Sequence, residues 1–176
     1  MSEVTTALTL VAPDQFHDDI NEIRKQCDRA YPRWMPHINF LFPFVSTDQF
    51  DDIKSRLEPY LKNVGSFDLD MSEIGHFKQG KNVTVHLKPK DSTKLRQVFD
   101  IIRQVLPEIP SKHEEFAPHL TIAQFKNSEL QTKLPELQTW LASKNFKFTI
   151  DHVCLLERSK TDNNVPFSVH SQIKLC

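Results

Sequence analysis

The sequence predicts a mixed fold, strands intermixed with helices in one domain spanning 1–176, and three observations carry that expectation. The 176-residue length suits one compact core, or two lobes sharing one. Apolar residues switch repeatedly between a period of two and spacings of three and four, the marks of strands and helices. With 39% apolar and 26% charged residues, the chain has enough Leu, Ile, Val and Phe to fold without covalent staples. Three glycines and eleven prolines leave no flexible Gly/Ser linker, so no internal boundary is expected.

Val4 to Val11 reads as the first strand, and Phe16, Ile20, Ile23 and Cys27 then recur as on one helix face. His37 to Phe44 forms the next strand, and Phe50, Ile53, Leu57 and Leu61 mark the next helix. The alternating sets Phe67, Leu69, Met71 and Val83, Val85, Leu87 predict a hairpin joined through the Gly75 to Gly80 region. Leu95, Val98, Phe99, Ile102 and Val105 form a helical stripe with Ser92 as N-cap. Pro107, lacking an N–H, ends it. A strand from Leu120 to Phe125 follows, then a helix through Leu130, Leu134, Leu137 and Leu141. Two last alternating runs cover Phe146 to Leu156 and Val165 to Leu175.

Lys plus Arg number 22 against 23 Asp plus Glu, and a net charge of −1 provides no footprint for tracking a duplex. A small phosphate ligand needs only a few local donors. Cys27, Cys154 and Cys176 are scattered and odd in number, which suggests neither a disulfide framework nor a thiolate metal cage. The opening Met-Ser-Glu-Val-Thr-Thr has no basic residue before the apolar stretch Ala7 to Ala12, the wrong order for a signal peptide. The expected setting is a reducing one, cytoplasmic or nuclear. No apolar run has the length of a membrane span.

The most informative feature is an internal repeat. A shift of 82 positions lays Trp34-Met35-Pro36-His37-Ile38-Asn39-Phe40 over Phe116-Ala117-Pro118-His119-Leu120-Thr121-Ile122. With 11 Pro and 8 His in 176 residues, only about half a Pro-His dipeptide is expected by chance, and the matched neighbours make an accidental pair rarer still. Side chains alternate along a strand, so His37 and Asn39 share one face, with Ile38, Phe40 and Phe42 on the other. His119 and Thr121 share a face in the same way, opposite Leu120 and Ile122. Two imidazoles can serve as base and acid for entering and leaving oxygens at phosphorus. The Asn39 amide and Thr121 hydroxyl can donate to the non-bridging oxygens, and the scheme calls for no metal or cofactor.

These two strands resemble the signature of the two-histidine (2H) phosphoesterases, which include the RNA 2′,3′-cyclic phosphodiesterases also called 2′-5′ RNA ligases. His119-Leu120-Thr121-Ile122 matches the pattern His, hydrophobic, Thr or Ser, hydrophobic; His37-Ile38-Asn39-Phe40 departs from it at Asn39. Phe67 to Met71 with Gly75-His76-Phe77, and Val153 to Ser159, resemble flanking parts of the family. The resemblance implies an α+β, LigT-like fold of two pseudo-twofold-related lobes, antiparallel sheets lining a central groove and helices outside. It also implies opening of 2′,3′-cyclic phosphates, or cleavage of 2′-5′ or 3′-5′ linkages, by His37 and His119 with Asn39 and Thr121 binding substrate.

Trp34, Arg33 and His113, near the histidine strands, are further candidates for stacking on a base or meeting a phosphate. The Arg158-Ser159-Lys160 cluster reads as a solvated turn. His86, between Val85 and Leu87, is expected to be exposed, and His152 with Cys154 lacks the second pair a zinc site needs. The expected partner is a small nucleotide or single-stranded RNA end, bound by a monomer, with no duplex or membrane. The alternative reading is a nucleotide- or RNA-end-binding module with little turnover, which Asn39 motivates.

Overall fold

The computed structural model describes residues 2–112 and 115–176. Among them the chain runs β1 (Thr6–Val11), α1 (His17–Cys27), β2 (His37–Leu41), α2 (Phe50–Leu61), β3 (Phe67–Asp70), β4 (Glu73–Gln79), β5 (Asn82–Lys88), α3 (Thr93–Val105), β6 (Leu120–Lys126), α4 (Leu130–Ala142), β7 (Lys147–Ile150), β8 (His152–Glu157) and β9 (Ser168–Lys174). The fold is α+β, with every strand pairing antiparallel. One sheet has the order β2-β1-β8-β9, a second the order β4-β5-β6, and β3 pairs with β7 as a separate ribbon.

The two halves of the chain repeat one plan, strand, helix, strand, helix and two more strands, with β9 added at the end of the second half, and they exchange the last strand of that plan. β8, from the second half, completes the sheet of β1 and β2, while β4, from the first half, completes that of β5 and β6. The equivalent strands β3 and β7 pair with each other. Neither half completes its own sheet, and one apolar cluster runs through both, from Leu8, Ile38 and Phe40 to Leu87, Phe99 and Ile122. Phe116 stacks on Phe99 with ring centroids 4.3 Å apart and lies 5.7 Å from Phe40, so the aromatic before the second histidine strand belongs to the core.

The helices keep the faces read from their spacing: Phe50, Ile53, Leu57 and Leu61 of α2, and Leu95, Val98, Phe99 and Ile102 of α3, are all buried. Ser92 stands at the N-cap of α3, but its hydroxyl accepts from Arg96 Nε; the first-turn N–H of Thr93 is taken by Asp91 Oδ1 at 2.9 Å. The expected hairpin is redrawn. The glycine-containing stretch is itself the strand β4, which pairs with β5 around Gly80 (φ 61°), while β3 turns to β7. The run Phe146 to Leu156 is likewise two strands, β7 and β8, because they join different sheets. Among the described residues, no helix is long and apolar enough to cross a membrane.

Candidate active site

β2 and β6 approach within 8 Å between Cα atoms, bringing the two halves of the repeat together. His37 opens β2 and His119 immediately precedes β6. Each ring is anchored in the same way: His37 Nδ1 lies 2.7 Å from the carbonyl of Met35, and His119 Nδ1 lies 2.8 Å from that of Ala117. A carbonyl only accepts, so Nδ1 carries the proton and Nε2 is left as the atom that exchanges one. The shared i−2 contact follows from the shared Pro-His strand start.

Both strands also carry a bulge at the same place. Leu8 pairs with Leu41 and Thr9 with Asn39, so Phe40 is the extra residue of β2. Val85 pairs with Ala123 and His86 with Thr121, so Ile122 is the extra residue of β6. Phe40 and Ile122, each three residues past its histidine, are fully buried. The bulge breaks simple alternation beyond that point. Phe42 therefore does not continue the core face of Ile38 and Phe40; it meets Trp34 edge-on at 5.0 Å. Gln124 pairs with Thr84 and falls on the face of His86 and Thr121.

The surroundings of the two histidines differ. Trp34 stacks on His37 at 4.3 Å and on Phe167 at 3.9 Å, so the indole holds the imidazole and is itself held. Burial lowers the pKa of His37 from 6.5 to about 4, the Met35 carbonyl partly opposes that, and the charges of Arg24 and His119 lower it further. His119 instead meets Phe77 edge-on and His86 at an angle, both at 5.2 Å between centroids. The expectation that His86 is exposed is overturned: its relative exposure is 4%. Val85 and Leu87 do face the core, but the opposite face is the groove wall, where Phe77 stacks over the His86 ring at 4.6 Å. Burial, then the charges of His119, Lys88 and His76, lowers its pKa to about 4.

Asn39 and Thr121 are half-buried. The Oδ1 of Asn39 and the Oγ1 of its cross-strand neighbour Thr9 are buried without hydrogen-bond partners. Arg33 is exposed, with its Nη2 donating to the carbonyl of Arg29 at 3.0 Å. His113 lies outside the described residues. Arg158, Ser159 and Lys160 form a hydrogen-bonded turn in which Lys160 is exposed and pairs with Glu3 at 3.3 Å, but Arg158 and Ser159 are half-buried and the Arg158 guanidinium lies 5.3 Å from the centre of the Phe167 ring, so the turn is only partly solvated. Among the described residues no group of three or more His, Cys, Asp or Glu could hold a metal ion.

A support absent from the sequence reading lies behind His37. The buried Arg24 donates from Nε to Asp28 Oδ2 at 2.8 Å and from Nη2 to the Trp34 carbonyl at 2.8 Å. Asp28 Oδ1 accepts from Gln124 Nε2 at 3.0 Å, and Gln124 Oε1 accepts from the Arg29 N–H at 2.8 Å. The network ties the loop carrying Trp34 to the strand that follows His119. Its one sequence signal was Arg24 lying four residues past Ile20, on the apolar face of α1 and four before Asp28.

One carbonyl-anchored imidazole from each half of a repeated chain, carried on strands that approach one another, is the pairing expected of a two-histidine phosphoesterase. The chain belongs to the 2′-5′ RNA ligase superfamily, whose family model matches residues 12–162. A Staphylococcus haemolyticus protein named as a phosphoesterase is 31% identical over 123 residues, 69% of this chain and 72% of that one. A similarly named Staphylococcus epidermidis protein is 27% identical over 157 residues, 89% and 91% of the two chains. Among solved structures, E. coli LigT complexed with 3′-AMP superposes with a TM-score of 0.67 at 12% identity, over 97% of each chain. Kluyveromyces marxianus Usb1 with uridine monophosphate gives 0.54 at 13% identity, over 99% of this chain and all of that one. At those identities the structural likeness speaks for the fold.

Proposed function

We propose that the chain is a metal-independent phosphodiesterase acting on RNA or nucleotide substrates, at 2′,3′-cyclic phosphate ends or 2′-5′ or 3′-5′ linkages, by two-histidine acid-base catalysis. The observation that carries this reading is the matched anchoring of His37 and His119, one from each half, with both Nε2 atoms left to exchange protons. His37, held uncharged at neutral pH by burial, takes the proton of the attacking water. The water oxygen bonds to phosphorus, the bond to the ribose oxygen breaks, and His119 delivers a proton to that leaving oxygen. The Asn39 amide N–H and the Thr121 hydroxyl donate to the non-bridging oxygens, where charge accumulates. The chain's own groups move every proton in this scheme. A small nucleotide or single-stranded end fits it, handled by a monomer.

The experiment is a product screen by mass spectrometry, in EDTA, over cyclic-phosphate RNA ends and 2′-5′ and 3′-5′ oligonucleotides. His37→Ala and His119→Ala should each lower kcat by about 10²–10⁴-fold. Full activity in either variant overturns the roles. A base with a pKa near 4 also predicts that kcat/KM does not fall between pH 7 and pH 5, where an ordinary imidazole base would lose most of it. The unpartnered Asn39 Oδ1 favours one second reading, binding with little turnover. Binding without cleavage in the natural chain, with cleavage appearing in Asn39→Thr, would select it.

A further inference from the structure

A cleft of about 490 Å³ opens at the end of the β4-β5-β6 sheet, where β5 runs into α3 and the chain enters β6. Its floor includes Ala117 and Pro118, the two residues before His119, so it adjoins the second imidazole. Leu87 pairs with Leu120, and one step along that ladder brings Lys88 level with His119, roughly 5 Å away across the strands. Among the described residues, no Asp or Glu lines this cleft, while Lys88 and Arg96 do. In a chain whose charges otherwise cancel, that is a local excess of positive charge.

The cations are available. Lys88 makes no hydrogen bond or ion pair among the described residues; Glu73, its neighbour across the β4 ladder, neither pairs with it nor lines the cleft. Arg96 uses Nη1 on the Phe116 carbonyl at 2.8 Å and Nε on Ser92 Oγ at 3.0 Å, which fixes the guanidinium and leaves Nη2 unengaged. His86 lines the same cleft, and its Nδ1 is buried with no partner. The cleft volume lies in the range of small-ligand sites.

We propose that this cleft receives a second phosphoryl group of the substrate, on Lys88 and Arg96, while the scissile phosphorus sits between His37 and His119. The inference rests on the proposed phosphodiesterase reading and narrows the substrate to a nucleotide carrying another phosphate on the His119 side.

The test compares adenylyl-adenosine, in its 2′-5′ and 3′-5′ forms, with the same molecules bearing an added 5′- or 3′-terminal phosphate. One phosphorylated form should exceed its parent in kcat/KM by about tenfold or more, as expected of a charge-assisted contact. Lys88→Ala should bring that ratio to about 1, and Lys88→Arg should keep it. A ratio near 1 in the natural chain, or a Lys88→Ala change that lowers both members of a pair equally, overturns the subsite. If no member of the set is cleaved, the linkage-cleaving form of the proposed reaction has failed, and equilibrium binding of the same set decides the subsite separately. A tenfold advantage of the terminal phosphate that disappears in Lys88→Ala supports it, and no advantage overturns it.

Discussion

Gly75→Ala tests the geometry around His119 most directly. Gly75 faces His86 across the β4-β5 ladder, and a Cβ built there would stand 2.5 Å from His86 Nε2 and 3.0 Å from Cε1. Ordinary contact is about 3.5 Å, so the ring would have to move by roughly 1 Å. It has little room: Phe77 stacks on it, and His119 lies beside it. Overpacking of this kind costs about 1–3 kcal/mol, against a gain of about 0.5–1 kcal/mol from removing a strand glycine. In a His86→Ala background only the gain remains, so a double-mutant cycle by urea unfolding should show a coupling of about 1–3 kcal/mol. In Tm, each kcal/mol is worth about 2–4 °C in a chain of this size. A Gly75→Ala protein as stable as its parent, with coupling below about 0.5 kcal/mol, would refute the packing argument.

Arg24→Ala leaves Asp28 buried and removes the hydrogen bond to the Trp34 carbonyl; urea unfolding should show a loss of about 3–5 kcal/mol, and a loss below about 1 kcal/mol contradicts the network. The acid limb of stability follows from His37 and His86, both lowered to about 4 in the folded chain. The unfolded chain takes up these protons first, near pH 6.5, so their contribution is present above that value and is lost as pH falls towards 4. Each should cost about 2 kcal/mol between pH 7 and pH 5, and His86→Phe should flatten the measured pH dependence by about that amount.

Much of the architecture was legible because helix faces and strand runs leave strong periodicities. The repeat around His37 and His119 also gave the two halves and their polar companions before any coordinates. Long-range pairing was less visible. Nothing local says that β3 joins β7, or that β4 crosses to the other half, since those choices depend on which sheet lacks a strand. His86 was misread because alternation distinguishes core from non-core and cannot tell solvent from a groove wall covered by Phe77. Phe42 and Gln124 were hidden by the bulges, which invert parity after Phe40 and Ile122. Trp34 stood out by type, but its stacking on His37 required the Arg24 network to bring its loop back over the strand.

Those paired bulges bear on direction. Past each one, the same position of the repeat is filled by Phe42 in one half and Gln124 in the other, so the two histidine strands run on into unlike surroundings: Phe42 packs on Trp34 and Phe167, whereas Gln124 spends its amide on Asp28 and the Arg29 N–H. A substrate strand of the kind proposed has its own polarity, and its two directions would meet those unlike neighbours differently. Two similarly anchored imidazoles thus stand in unequal settings, and in the proposed reaction that inequality is what sets base apart from acid.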